Sequence, residues 1–171
     1  FVDMLDTTSK KNFSMADPRL PVFASLSGDP LQTYKGAGWG DPGDDASIPG
    51  GYYEGSYPAA PESPVYFITN SECLFIKAEC QLQTGVDLTT VKNTLAEAVA
   101  SSLDKFGVSS QEYVGNYTNY ISQMGKDSLY KQIMIQKYIA LYYQSETFVD
   151  WRRTNNLMGL HANPMQTAGT E

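Results

Sequence analysis

The residues best able to do chemistry cluster near one end, in QKYIALYYQSETFVDWRRTN, residues 136 to 155, which closes on Trp151, Arg152 and Arg153. Two adjacent arginines beside a tryptophan could grip an anion. The chain carries a formal charge of −7 and a pI near 4.6. A nucleic-acid binder needs a basic field to displace counterions, so nucleic acid is excluded as a partner. An anionic membrane surface is disfavoured on the same grounds. Arginines closing a helix instead favour its negative C-terminal pole and fork onto carboxylates. At least one of Arg152 and Arg153 is therefore expected to pair with Glu72, Glu79, Asp150 or Asp17, with Trp151 packed in the core. Trp151, Arg152, Arg153, Glu72 and Glu79 are thus read as structural.

Catalytic candidates are sparse. The single histidine, His161, lies in the polar tail LHANP. No G-x-S-x-G elbow, H-E-x-x-H pair, phosphate-binding loop or dinucleotide fingerprint occurs. DPGDD, residues 41 to 45, lacks the alternating oxygen ligands and terminal Glu of a calcium loop. Cys73 and Cys80 stand seven apart, about 10 Å along a helix axis. A disulfide needs Cα atoms within about 7 Å, so the two are read as small buried thiols. No enzyme activity, metal or cofactor is expected.

Aromatics are the exception, with 12 Tyr, 7 Phe and 2 Trp. Such rings can build a core or present flat faces to a ligand, and composition does not separate the two. The segment GWGDPGDD through GGYYEGSY offers Trp39, Tyr52, Tyr53 and Tyr57 as ligand-binding candidates.

The elements that must position these residues divide near residue 64, within what reads as one domain over 1–171. Residues 1–64 hold eight of the 9 prolines and form a loop-rich flank, in which DPRLPVFASL supplies one short extended stretch. Residues 65–158 form a helical core. Thr69-Asn70-Ser71-Glu72 is a capping box opening a helix to about Thr84, before Gly85. Its apolar residues surround the axis, which predicts burial on most sides and partners for Lys77 and Glu79. A second helix spans about Thr89 to Phe106. A third opens with the box Ser109-Ser110-Gln111-Glu112 and stops before Gly125. A fourth runs from Asp127-Ser128 to about Arg153, at the centre of the body. The fold class is all-α, with short connections and antiparallel neighbours.

These helices carry a resemblance. Thr69, Glu72, Ala78 and Glu79 match a T-x-x-E-x-x-x-x-x-A-E pattern. Gln136, Lys137 and Tyr138 match Q-K-aromatic. Phe148, Trp151, Arg152, Arg153 and Thr154 match W/F-x-x-W-R-R-T, and Asp17 to Phe23 match D-P-R-L-P. In order and spacing the chain resembles the C-terminal part of the SusD/RagB family of outer-membrane nutrient-binding lipoproteins. Tyr138 and Phe148 stand where Trp is frequent, and Asn155-Asn156 replaces Gly-x-Pro. The resemblance implies a SusD-like helical body lacking its tetratricopeptide-like part, hence a C-terminal fragment. It implies non-catalytic binding of oligosaccharides or peptides for a SusC-like TonB-dependent transporter. It also implies an outer-membrane, cell-surface location, with a lipid anchor in the missing N-terminal part. The alternative is a helical protein–protein interaction scaffold that binds no small ligand.

Overall fold

The computed structural model describes residues 4–8, 14–28, 33–36 and 61–159, together with 10, 12, 31 and 47. After a π-helical segment, Met4–Thr8, come α1 (Leu20–Phe23), α2 (Asn70–Gln83), α3 (Leu88–Lys105), α4 (Gln111–Ser122), α5 (Lys126–Ala140) and α6 (Glu146–Arg153). The described residues hold no strand, so the all-α class is observed.

Local chemistry explains most boundaries. The Thr69 hydroxyl accepts from the Glu72 N–H at 3.2 Å and starts α2. Gly85, at φ +79°, ends it, and the Val86 N–H returns to the Gln81 carbonyl at 2.9 Å. That backward bond satisfies a terminal carbonyl, and the left-handed φ suits glycine. Asp87 caps α3 through the Thr89 and Thr90 N–H groups, at 2.8 and 3.0 Å. Gly107, at φ +70°, ends α3 with the same geometry, Val108 N–H bonding the Leu103 carbonyl. The cap of α4 is Ser110, which accepts from Tyr113 N–H, one residue later than the box predicted. Ser109 instead donates to Asp104.

Helix α3 packs against α2, α4 and α5, while α5 packs against α2, α3 and α6. Asn70 at the start of α2 bonds Ser101 near the end of α3. Lys92 near the start of α3 bonds the Ser122 carbonyl at the end of α4. Consecutive helices therefore run antiparallel here. The main core joins Phe75, Leu82, Leu95, Leu103, Tyr113, Tyr117 and Ile133. A second, smaller core joins Leu5, Leu20, Phe23, Ala24 and Ile139.

Three expectations change. Leu20–Phe23 is a helical turn rather than an extended stretch, with Pro21 in its first turn, where a missing N–H costs nothing. Helix α2 buries one face only, through Ser71, Leu74, Phe75, Ala78 and Leu82. Cys73, Ile76, Lys77 and Cys80 are exposed, so the cysteines are free surface thiols and Lys77 is solvated. Helix α2 touches its neighbours from one side, which all-round apolar composition could not reveal. Finally, the predicted fourth helix is two, α5 and α6, broken over 141–145.

Candidate functional site

The break brings α6 back over α5. In one straight helix Lys137 and Asp150 would lie about 20 Å apart along the axis. Instead, Lys137 Nζ stands 2.8 Å from Asp150 Oδ2. Arg153 donates through Nε to Asp150 Oδ1 at 2.7 Å and through Nη2 to Glu79 Oε2 at 2.7 Å. Its Nη1 reaches Glu79 Oε1, so the guanidinium forks onto the carboxylate. Tyr130 donates to the same oxygen at 3.2 Å. The chain Glu79–Arg153–Asp150–Lys137 alternates in sign. The hydrogen bonds it donates to Glu79, opposed by partial burial, raise the Arg153 pKa, and the guanidinium stays charged. Burial first, then the Glu79 charge, raises the Tyr130 hydroxyl.

An open cleft of about 480 Å³ lies against this network. Ile76, Glu79, Cys80 and Gln83 of α2, with its C-cap Thr84, line it from one helix. Lys137 of α5 and Asp150 and Arg153 of α6 complete the lining, and the four charged side chains, Glu79, Lys137, Asp150 and Arg153, are 13%, 7%, 10% and 38% exposed.

A second polar cluster is fully enclosed. Arg19 has no solvent exposure, and Asp17 shows 1%. Arg19 donates through Nε and Nη2 to the two Asp17 oxygens at 2.8 and 2.6 Å. It also reaches Ser102 of α3 at 3.0 Å and Gln136 of α5 at 2.8 Å. The Tyr113 hydroxyl of α4 completes Asp17 at 2.7 Å. Burial alone would raise the Asp17 pKa. The charge and hydrogen bonds of Arg19, with the Tyr113 bond, outweigh it and hold the carboxyl below its usual value.

Arg153 is thus held by Glu79 and Asp150, while Arg152 is exposed and lies 5.8 Å over the Phe148 ring. Trp151 is half-buried, packs on the main core and stacks on Phe148 at 5.7 Å. Glu72 serves as the first-turn acid of α2. Asp17 pairs with Arg19 rather than with either terminal arginine. Trp39, Tyr52, Tyr53, Tyr57, His161 and DPGDD lie outside the described residues. Sequence reasoning missed Arg19, Gln136 and Lys137 as partners. Their only signal was membership in the matched D-P-R and Q-K patterns.

No curated relative matches the chain. A family model described as "starch-binding associating with outer membrane" matches residues 2–168. The chain belongs to the SusD-like family. From the D-P-R, Q-K and W-R-R segments that carry the resemblance, Asp17, Arg19, Gln136, Lys137 and Arg153 meet in the two polar clusters just described. Membership brings starch binding and outer-membrane association, in a family that binds rather than catalyses. No helix among the described residues is long and apolar enough to cross a membrane.

Proposed function

We propose that the protein captures nutrient oligosaccharides at the cell surface, without catalysis, and hands them to a SusC-like TonB-dependent transporter. The observation that carries this reading is the SusD-like match over nearly the whole chain, with its starch-binding description. An anchor elsewhere in the protein, carried by lipid, holds it at the outer membrane. Trp39, Tyr52, Tyr53 and Tyr57 supply stacking faces for sugar rings. The oligosaccharide is preferred over a peptide because the family description names starch. The charge-balanced cleft also suits a neutral, hydroxyl-rich ligand.

Isothermal calorimetry with maltooligosaccharides and a peptide panel tests the reading. Saturable heat with the glucans is expected, and Trp39→Ala and Tyr53→Ala should each weaken binding by roughly tenfold, about 1.4 kcal/mol. No heat with any glycan would sink it. One observation favours a second reading, a scaffold contacting only protein. Val65, Phe67 and Ile68 are 82%, 96% and 64% exposed just before α2. Binding of neither sugars nor peptides would leave that reading in place.

A further inference from the structure

The cleft lies where the outer wall of α2 meets the Glu79–Arg153–Asp150–Lys137 network. Its charged side is structural, but Cys80, Gln83 and Thr84 are solvent-exposed and have no place in either apolar core. We infer that this cleft is a subsite for a neutral oligosaccharide, taking a short glucan segment between the outer wall of α2 and Arg153. The inference rests on the oligosaccharide reading above and assigns it a place.

Charge selects the ligand class. The cleft presents two carboxylates and two cations, and each already faces an opposite partner at 2.8 Å or closer. An anionic or cationic ligand would find no unmatched countercharge and would have to break a pair. A sugar need break nothing. Glu79 Oε2 and both Asp150 oxygens each accept one of these bonds and keep a spare lone pair, and the Lys137 ammonium has three donors. Hydroxyl groups both donate and accept, so they can use these leftover sites while leaving the pairs intact. Ile76 and Cys80 give the apolar wall that the C–H face of a sugar needs, and Gln83 and Thr84 add neutral polar groups at the rim. The volume, about 480 Å³, falls within the ~300–1,000 Å³ span of small-ligand clefts. Rigidity comes with the site: Arg153 is fixed by three charged hydrogen bonds to Glu79 and Asp150, so little is lost in ordering it.

The two free thiols of α2 make the inference measurable. Cys80 lines the cleft, while Cys73, seven residues earlier on the same helix, is exposed but does not. In Cys73→Ser and Cys80→Ser single variants, the alkylation rate of the remaining thiol by iodoacetamide is followed with and without maltoheptaose. Calorimetry on the same samples supplies Kd. At ten times Kd, a sugar that covers the thiol should slow Cys80 alkylation about tenfold, by mass action. The Cys73 rate should not change. Filling the cleft with Cys80→Trp should weaken maltoheptaose binding at least tenfold at constant thermal stability, whereas Cys73→Trp should leave it intact. If maltoheptaose binds and Cys80 reacts at its free rate, the cleft is not the subsite, and the oligosaccharide reading survives elsewhere on the molecule. If maltoheptaose gives no heat, the glucan subsite fails, and if no other glycan gives heat either, the oligosaccharide reading fails with it.

Discussion

Among the described residues, Arg19 is the largest side chain with no exposure to water. A guanidinium so placed is stable only with complete partnering, because a lone buried charge costs several kcal/mol. Asp17 supplies the countercharge, Ser102 and Gln136 accept from the guanidinium, and Tyr113 donates to Asp17, so three different helices hold the pair. This pair orients the flank against the helical body, as its enclosure on all sides requires. Asp17→Asn removes the charge while keeping the shape, and should destabilise by about 3–5 kcal/mol, read as a lower urea midpoint. Arg19→Met should cost a similar amount. In the double variant the two losses should not add, because neither partner is left stranded. Additive losses would mean that the two residues act independently. The sequence showed Asp17 as a loose acid available to Arg152 or Arg153. Nothing in its local pattern distinguishes a buried Asp-Pro-Arg from a solvated one, since the decisive partners stand 83 to 117 residues away.

At the level of elements, the starts and stops of α2, α3 and α4 were legible because they are written in short-range chemistry. Thr69, Asp87 and Ser110 cap through their own side chains, and Gly85 and Gly107 take the left-handed φ that ends a helix. The break between α5 and α6 was not legible, since LYYQS contains neither Gly nor Pro. It is imposed by tertiary contacts. Tyr142 stacks 4.4 Å from Phe23 and donates to its carbonyl at 3.2 Å, while Lys137 and Glu79 draw Asp150 and Arg153 back. The turn forces Tyr143 to φ +69°, a region that costs a residue with a side chain about 1–2 kcal/mol. Tyr143 is 72% exposed, so little packing is lost on truncation. Tyr143→Gly should therefore stabilise the protein by up to about 1 kcal/mol, after allowing for the greater freedom of unfolded glycine. A urea midpoint below that of the natural chain would refute strain at this turn. The cleft depends on the same break, which is why its residues could not be assembled from sequence.

Taken as a whole molecule, the protein joins two ionic clusters through adjacent residues of α5. Gln136 belongs to the Arg19 cluster, and Lys137 to the Arg153 cluster. Each cluster ties α5 to a different element: the flank at one, α2 and α6 at the other. The resemblance was legible because these contacts fix residue types at fixed spacings. Their meaning was not, because spacing alone does not say whether an arginine faces ligand or carboxylate. The arrangement predicts sensitivity to acid. Asp17 and Asp87 both have folded pKa values below the unfolded value of 3.8, Asp87 reaching about 2. For Asp87 the cause is chiefly the Thr90 hydroxyl, then the N–H groups of Thr89 and Thr90. The folded protein thus binds fewer protons than the unfolded chain below about pH 4. Stability from these groups is complete above 3.8 and falls as pH drops through the folded values. Urea midpoints followed by far-ultraviolet circular dichroism should therefore be level from neutrality to about pH 4 as far as these groups are concerned, then fall steeply towards about pH 2. Asp17→Asn, less stable at neutral pH, should show a shallower fall across that window, because one linked proton has been removed. An undiminished slope in Asp17→Asn would mean that the Arg19 cluster is not what acid breaks.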